Sequence, residues 1–311
     1  MKEILTKLMT KQGGVFFIYY FLWFTGLHRL LSDKAFINLQ YRCNLGKKIN
    51  WENPQTYNEK LQWLKLNYRH PNDYLMVDKI EAKKYVSDII GDEYIIPTIA
   101  VYENVEDIKW EKLPEQFVLK CTHDSGGIVV CKNKNKLDIN KAIRKLTKSY
   151  KRNYYWYSRE HVYKDIKPRI ICEQYMTDNG SADIDRQELR DYKFFCFNGV
   201  PKALFIATDR MDMTTETKFD YFDMDFNHLP FCGGHPNANK LIERPKCFEK
   251  MKELATKLSA GCPHLRVDFY EVNGHVFFGE LTFYHYGGMA YFDPEEWNYK
   301  FGEWLKLPRK G

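Results

Sequence analysis

The sequence predicts an α+β protein in which a helical N-terminal extension precedes antiparallel sheets. Helix start and stop signals dominate the chain as far as Gly91. Apolar strands flank a polar loop at 117–132, and an Asn-Gly turn joins two further strands at 265–283. Because strands joined by a short turn pair in opposite directions, both segments predict antiparallel sheet.

Composition limits the class of protein. The 311 residues are 44% hydrophobic, which is enough for a full core in one large domain or in two to three small ones. The net charge of +6 suits an anionic ligand or a membrane surface, but it does not call for nucleic acid. The eight cysteines form no CxxC pair, so reduced thiols and a cytoplasmic location are expected.

An aromatic, apolar run at Val15–Leu27 stands out near the N-terminus. It is shorter than the roughly 20 apolar residues of a membrane span, and no small-residue cleavage site marks it as a signal peptide. Two interpretations stay open: a helix packed on the core, or an interfacial helix that brings residues 15–31 to the inner face of the cell membrane. The basic residues around the run are Lys2, Lys7, Lys11 and Arg29.

The first helices have recognisable caps. Thr56, with Glu59 three residues later, predicts a capping box and a helix within an extension that reaches about residue 75. Asp78 is expected to cap a second helix, Lys79–Ile90, which ends at a glycine. The next apolar residues, Tyr94–Pro97, predict a short strand.

The rest of the chain alternates strands with a few helices. Strands at 117–120 and 128–132 flank the loop 121–127. Further predicted elements are a helix at 139–151, strands at 169–175, 193–197, 202–208 and 218–223, and a helix at 246–260. The predicted divisions are an extension at 1–75, a small α/β subdomain at 76–115, a lid subdomain at 116–175 and a large subdomain at 176–311.

The loop of the first hairpin has the chemistry of a phosphate site. Lys120 ends a strand and supplies a point charge, and glycine lets backbone amides approach phosphate oxygens. The loop residues expected to contribute are Ser125, Gly126 and Gly127. His123 either reaches a phosphate or caps the loop. The pattern is weak in isolation and is not a Walker motif.

A carboxylate follows the apolar strand at 169–175. Glu173 lies where this strand leaves the core, a position from which it can accept a hydrogen bond from an adenine amino group. The backbone of Gln174, Tyr175 and Met176 would then meet the edge of the ring. Taken alone, Glu173 is better interpreted as a simple strand-end glutamate.

The last hairpin offers a metal site if its register is right. A strict two-residue turn would place Asp268 and Glu280 on opposite faces of the sheet. One extra residue, either in a loop Asn273–His275 or as a bulge, places them directly opposite each other. Two opposed carboxylates need a positive charge between them, and their oxygens suit Mg²⁺. Arg266 and Thr282 would share this face.

From Asp33 to Trp304 the chain resembles the TupA-like ATP-grasp family of bacterial surface-polysaccharide gene clusters. The resemblance rests on five segments taken together: NPQTYNEKLQWLK at 53–65, VDKIEAKKYV at 77–86, VLKCTHDSGG at 118–127, RDYKFFCFNGVPK at 190–202 and RVDFYEVNGHVFFGELTF at 266–283. It implies an ATP-grasp fold, in which two α+β subdomains clasp ATP between antiparallel sheets and the hairpin at 117–132 forms a mobile lid.

The resemblance also implies roles for individual residues. Lys79 and Lys120 would contact phosphates, Glu173–Met176 would form the adenine hinge, and Asp268 with Glu280 would bind Mg²⁺. Thr282 occupies a position where many ATP-grasp enzymes have asparagine, a better metal ligand. The candidates for binding the transferred phosphoryl group or the acyl substrate are Lys193 and Arg210, with Arg266 as the residue that neutralises charge. Gly287 and Gly288 would form a loop on the acceptor side.

The expected activity is an ATP- and Mg²⁺-dependent carboxylate–amine ligase that joins a uronic acid to an amino acid through an acyl phosphate, in capsule or O-antigen synthesis. A glycan kinase is an alternative, with Asp191 or Asp209 as its base. A glycosyltransferase is weakly suggested by the DxD match at 223–225. A non-catalytic glycan-binding module is the third alternative.

Overall fold

A computed structural model describes residues 13–178, 189–208 and 216–309. Nine α-helices lie within these ranges. They are α1 Gly13–Thr25, α2 Asp33–Leu45, α3 Tyr57–Asn67, α4 Asp73–Val77, α5 Glu81–Ile90, α6 Ile139–Tyr150, α7 Tyr155–Ser158, α8 Phe248–Leu258 and α9 Glu296–Trp304. Short 3₁₀ turns connect several of them.

The strands form two antiparallel sheets, as predicted. They are β1 Thr98–Tyr102, β2 Phe117–Cys121, β3 Ile128–Cys131, β4 Ile170–Gln174, β5 Asp191–Phe197, β6 Val200–Thr208, β7 Lys218–Phe222, β8 His264–Val272 and β9 His275–Thr282. The four-stranded sheet has the order β1-β4-β2-β3, and the five-stranded sheet has the order β7-β6-β5-β8-β9. The α+β class is therefore confirmed.

The predicted capping box at Thr56 is present, and the first strand begins later than predicted. The second helix also begins later, at Glu81 instead of Lys79, although Asp78 Oδ1 accepts hydrogen bonds from the amides of Ile80 and Glu81. The Thr56 side chain accepts a hydrogen bond from the amide of Glu59, whose carboxylate accepts one from the amide of Thr56. The predicted strand at 94–97 is wrong: residues 92–94 form a 3₁₀ turn and β1 begins at Thr98. Pro97 has no amide hydrogen for a strand ladder, although its carbonyl accepts a bond from the Gln174 amide.

Each sheet has one face packed against a helix. In the four-stranded sheet this face meets α6 and forms a core of its own, with Phe117, Leu119, Ile170, Cys172 and Leu146 among its members. In the five-stranded sheet the corresponding face meets α8, where the rings of Phe194 and Phe248 have centroids 5.8 Å apart. Because side chains alternate along a strand, the residues between these core positions lie on the opposite faces.

The sheets do not follow the predicted domain boundaries. Strand β1 pairs with β4, so a boundary between residues 115 and 116 would divide the four-stranded sheet. Helix α3 of the predicted extension is also part of the large core, because Tyr57 and Leu61 are fully buried there. Helix α3 therefore supports the large sheet directly.

The structure also shows the state of the cysteines and of the aromatic run. All eight cysteines are free, and five of them are buried. Helix α1 contains most of the aromatic run, and none of the helices in the described ranges is long and apolar enough to cross a membrane.

Candidate active site

The last hairpin has the register that a metal site requires. Asp268 pairs with Glu280, and Arg266 pairs with Thr282. The proposed three-residue loop is wrong, because Val272 pairs with His275 across a two-residue turn. The register is corrected instead by a bulge at Gly279, the alternative that the sequence had left open. A Cβ at Gly279 would lie 3.0 Å from the backbone oxygen of Asp268, so the bulge favours glycine.

The residues of this face form rows across the sheet. Lys193 on β5 pairs with Asp268 on β8, which in turn pairs with Glu280 on β9. The next row contains Arg266 and Thr282. Since alternate residues of a strand share a face, both rows lie on the side of the sheet away from α8. The structure thus brings together five residues predicted from separate parts of the sequence.

Asp268 is neutralised by two basic side chains. It is 1% exposed and accepts hydrogen bonds from Arg266 Nε at 2.7 Å and Nη2 at 2.8 Å, and from Lys193 Nζ at 2.5 Å. Arg266 Nη2 also donates to Thr282 Oγ1 at 3.0 Å. Burial, together with the charge of Arg266, lowers the pKa of His285 well below its usual value. The neutral ring can therefore accept the hydrogen bond that joins Arg266 Nη1 to His285 Nδ1 at 2.9 Å.

Glu280 is the open carboxylate of this group. Its side chain is 38% exposed, and the nitrogens of Lys79 and Arg266 each lie 3.9 Å from one of its oxygens, beyond hydrogen-bond distance. Lys79 Nζ also donates to the backbone oxygen of Asp124 at 2.8 Å. Lys79 therefore lies between the loop of the first hairpin and Glu280 on the last hairpin.

On the four-stranded sheet, Glu173 lies between two lysines. Lys120 and Lys83 are each 2.6 Å from one of its carboxylate oxygens. Burial alone would raise the pKa of Glu173, but the charges and hydrogen bonds of the two lysines together lower it below its usual value. Sequence reasoning missed Lys83, although it follows Lys79 by four residues and would share its face of the predicted helix.

The Glu173 ion pairs are expected to stabilise the fold. Glu173→Gln would leave two lysines without a counter-charge and should lower the free energy of unfolding by about 3 kcal/mol at neutral pH. The native pKa is the lower one, so the stabilisation is complete above about pH 4.3 and is lost as the pH falls through the native pKa. Urea denaturation of both proteins at several pH values should show this gap closing in acid. A gap independent of pH would contradict an ionised Glu173.

The loop of the first hairpin is held at its base and exposed at its tip. Asp124 is fully buried and accepts hydrogen bonds from Ser149 and from Arg152, the latter at 2.7 Å. Gly127 lies against Ser149 with no room for a Cβ. Ser125 and Gly126 are exposed, as a phosphate-contacting loop requires.

His123 does not lie at this exposed tip. Its ring is 2% exposed, with Nε2 3.0 Å from the backbone oxygen of Arg152. Burial lowers the pKa of His123, so the ring is neutral. Of the two roles that the sequence left open, this arrangement supports the cap.

The exposed face of the four-stranded sheet is apolar around its charged pair. Val130 and Val101 are 43% and 44% exposed, which is unusual for valine in a sheet. Both lie on the face that carries Lys120 and Glu173, because Val130 pairs with Val118 and Val101 pairs with Ile171. The face offers a flat apolar surface beside two ammonium groups.

The predicted hinge lies at one end of this sheet. Gln174 is exposed, while Tyr175 and Met176 are half-buried. Gln174 and Tyr175 line an open cavity of about 680 Å³. The other residues around it are Ile99, Pro114, Glu115, Gln116, Lys132 and Asn133.

The Gly287–Gly288 turn is supported by two residues that sequence reasoning missed. Lys65 Nζ donates to the oxygen of Gly287 at 2.7 Å, and Gln62 Nε2 donates to the oxygens of Gly287 and Gly288 at 2.8 Å. Burial lowers the pKa of Lys65 to about 8, against the attraction of Glu160. The signal was available, since Gln62 and Lys65 are polar residues within the apolar stretch of α3.

The remaining candidates are less favourable or lie elsewhere. Arg210 and Asp209 fall outside the described residues. Asp191 is buried, with Lys193 Nζ 3.2 Å from its carboxylate. Asp223 of the DxD match accepts hydrogen bonds from the amides of Asp225 and Asn227, so it serves a local turn.

The sequence profile of the TupA-like ATP-grasp family matches residues 59–306, which is most of the chain. The chain belongs to this family. Family and architecture together confirm the predicted ATP-grasp fold. No curated protein matches the chain in sequence.

Solved ATP-grasp structures share the fold at low sequence identity. The ATP-grasp ligase PsnB, complexed with minimal precursor, Mg and ADP, is 10% identical over 80% of this chain and 62% of its own, with a TM-score of 0.39. D-alanine–D-alanine ligase from Bacillus anthracis, complexed with ATP, is 16% identical over 67% of this chain and 55% of its own, with a TM-score of 0.39. The enzyme from Helicobacter pylori is 14% identical over 80% and 69%, with a TM-score of 0.42. The chain thus spans less than two thirds of the first two proteins, and the likeness is one of fold alone.

Proposed function

We propose that the protein is an ATP- and Mg²⁺-dependent carboxylate–amine ligase that joins a uronic acid to an amino acid in bacterial surface-polysaccharide synthesis. The row Lys193–Asp268–Glu280 is the main support, because it places a basic residue and two carboxylates side by side on the sheet face away from α8. Arg266 extends the positive charge into the next row. Such a site suits phosphoryl transfer, which depends on positioning and charge neutralisation.

The second sheet supplies features suited to the nucleotide. Lys79 donates to the backbone oxygen of Asp124 beside the exposed tip, and Lys120 lies on the strand that leads into the loop, so both are assigned to the phosphates. The apolar face around Val130 would receive the adenine ring, with the hinge Glu173–Met176 along its edge. Glu173 is held in place for this role by Lys83, which also donates to the Ile96 oxygen at 2.7 Å and to Thr98 Oγ1 at 2.9 Å.

The carboxylate oxygens fit a magnesium ion in kind and in charge. The carboxylate of Glu280 is accessible to an ion. Asp268 is now paired with Arg266 and Lys193, and Mg²⁺ would replace these cations at its oxygens. Thr282 already accepts a hydrogen bond from Arg266, so the assignment to the metal rests on the two acids. No group of three or more His, Cys, Asp or Glu side chains within the described ranges could hold a metal alone, and Mg²⁺ characteristically takes further ligands from phosphates and water. When bound, the ion would neutralise phosphate oxygens.

The reaction would proceed in two balanced steps. A carboxylate oxygen of the sugar acid attacks the γ-phosphorus of ATP, giving an acyl phosphate and ADP. The amine nitrogen then attacks the acyl carbon, the phosphate leaves, and the nitrogen loses a proton as the amide forms. Arg266 and Lys193 would bind the transferring phosphoryl group, and Gly287 with Gly288 would line the acceptor side. No side-chain nucleophile is required.

The choice of acceptor rests on the family resemblance and on charge. A uronic acid presents a carboxylate, which suits the cationic pair Lys193 and Arg266. The kinase alternative is less favoured, because Asp191 is already paired with Lys193 and would be a poor base.

One assay separates these functions. The full chain is incubated with ATP, Mg²⁺, uronic acid-containing oligosaccharides and a mixture of amino acids, and the products are followed by phosphate release and mass spectrometry. Release of phosphate together with an amide-linked product supports ligation. A phosphorylated glycan would replace ligation with the kinase function, and glycan binding without ATP turnover would support a binding module.

A further inference from the structure

The N-terminal helix α1 exposes an apolar stripe to solvent. The exposed members are Phe17, Ile18, Phe21 and Phe24, with exposed fractions of 61%, 50%, 51% and 84%. Their spacing by three and four residues places them on one face of the helix. Two further exposed apolar residues, Leu27 and Leu30, follow directly in the next 3₁₀ turn.

The opposite face fixes α1 to the body of the protein. The rings of Tyr19 and Trp23 lie against Phe36 of α2, with centroids 6.1 and 6.4 Å away. Gln40 donates to the hydroxyl of Tyr19 at 3.2 Å. The buried Arg159 donates to the backbone oxygen of His28 at 2.6 Å, which fixes the turn that follows. The exposed stripe is therefore held in one orientation relative to the core.

An apolar surface of this kind needs a partner. A helix that is apolar on all sides normally lies inside a protein or in a membrane. With 13 residues, α1 is about 20 Å long, which is too short to cross a bilayer but long enough to lie along its surface. Aromatic side chains are favoured at the boundary between headgroups and hydrocarbon.

The charged residues around α1 indicate the kind of surface that it binds. The sequence has no acidic residue between Ile4 and Ser32, while it has basic residues at Lys7, Lys11 and Arg29. Each basic residue near an anionic membrane contributes about 1 kcal/mol of attraction. A second copy of the chain is a poorer fit, because stable interfaces involve about 20 to 30 residues on each side and the stripe has six.

We propose that α1 and the following turn, residues 15–31, form a membrane-docking face that binds an anionic lipid surface. The exposed stripe enters the interfacial region of one leaflet, and the basic residues contact the headgroups. The segment from Tyr155 to Glu160 lies between this face and the candidate active site, because Arg159 binds the His28 carbonyl while Ser158 lies against Gly287. Docking would therefore hold the catalytic cleft at a fixed position relative to the membrane.

Vesicle sedimentation tests this proposal with the full chain. Wild-type protein should bind vesicles of phosphatidylcholine mixed with phosphatidylglycerol, and should bind phosphatidylcholine vesicles at least tenfold more weakly. The triple variant Phe17→Ser, Phe21→Ser, Phe24→Ser should lose about 100-fold in partition coefficient, because three half-inserted rings are removed. The matched control is Leu241→Ser with Tyr291→Ser, which removes exposed apolar groups elsewhere and should bind as wild type does.

Two further measurements separate membrane binding from unfolding and from self-association. Thermal melting should match between wild type and the triple variant, because the altered rings do not contribute to the core. Sedimentation equilibrium across a range of concentrations should give the same association state for wild type and the triple variant. Failure of the wild type to bind any vesicles, equal binding by the triple variant, or a dimer lost in the triple variant would each overturn the proposal.

Discussion

Replacing Glu280 with glutamine is expected to lower ATP turnover by roughly 10²- to 10³-fold, since each 1.36 kcal/mol of lost transition-state stabilisation reduces the rate tenfold and a metal supplies several. An amide has a similar shape but no negative charge, so the acidic pair would lose half of its attraction for Mg²⁺. The fold should survive, because Glu280 is 38% exposed and its nearest cations are 3.9 Å away. Steady-state phosphate release at saturating ATP, over a Mg²⁺ titration, measures the effect.

The matched control for this variant is Glu271→Gln on the same hairpin. Glu271 lies on β8 and accepts a hydrogen bond from the amide of Cys247, which a glutamine oxygen can also accept. Its turnover should stay within about twofold of wild type. Wild-type turnover by Glu280→Gln would remove the acidic pair from the proposed machinery, whereas loss in both variants would indicate general damage to the hairpin.

The sequence was informative where local rules determine the structure. The capping box at Thr56, the two hairpins and the cap at Asp78 depend on neighbouring residues, so they could be predicted. The sequence predicted that Asp268 and Glu280 face each other only if the hairpin carries one extra residue. It did not determine whether that residue lies in a longer loop or in a bulge. A glycine inside a strand, here Gly279, is the signal that favours a bulge.

The parts that sequence reasoning missed are tertiary contacts between distant segments. Lys65 and the Gly287 carbonyl are 222 positions apart, and nothing local to either residue indicates the other. Lys83 was similarly missed, because it lies on α5 and its partner Glu173 lies on the distant strand β4. The role of His123 could not be chosen from the sequence, because a polar loop does not show which of its side chains is buried, and here the ring lies against the Arg152 carbonyl.

The role of Lys120 can be separated from its ion pair by comparing it with Lys83. Both lysines lie 2.6 Å from Glu173, and their side chains are 17% and 13% exposed. Lys83 has two further acceptors, Ile96 O and Thr98 Oγ1, and thus uses all three of its protons. Within the described part of the chain, Glu173 is the one acceptor in contact with Lys120. Lys120 therefore has protons available for a phosphate.

Lys120→Met is accordingly expected to lower kcat/KM for ATP by about 10²- to 10³-fold, a loss of roughly 3 to 4 kcal/mol of transition-state stabilisation. Lys83→Met should lower it less than about tenfold. It should lose at least as much unfolding free energy as Lys120→Met, because each variant removes one partner of Glu173 and Lys83 also has two further acceptors. Steady-state kinetics with varied ATP, beside urea denaturation of both variants, measures the two quantities separately. Equal kinetic losses would mean that Lys120 acts only through Glu173, and the phosphate assignment would then fall to Lys79 alone.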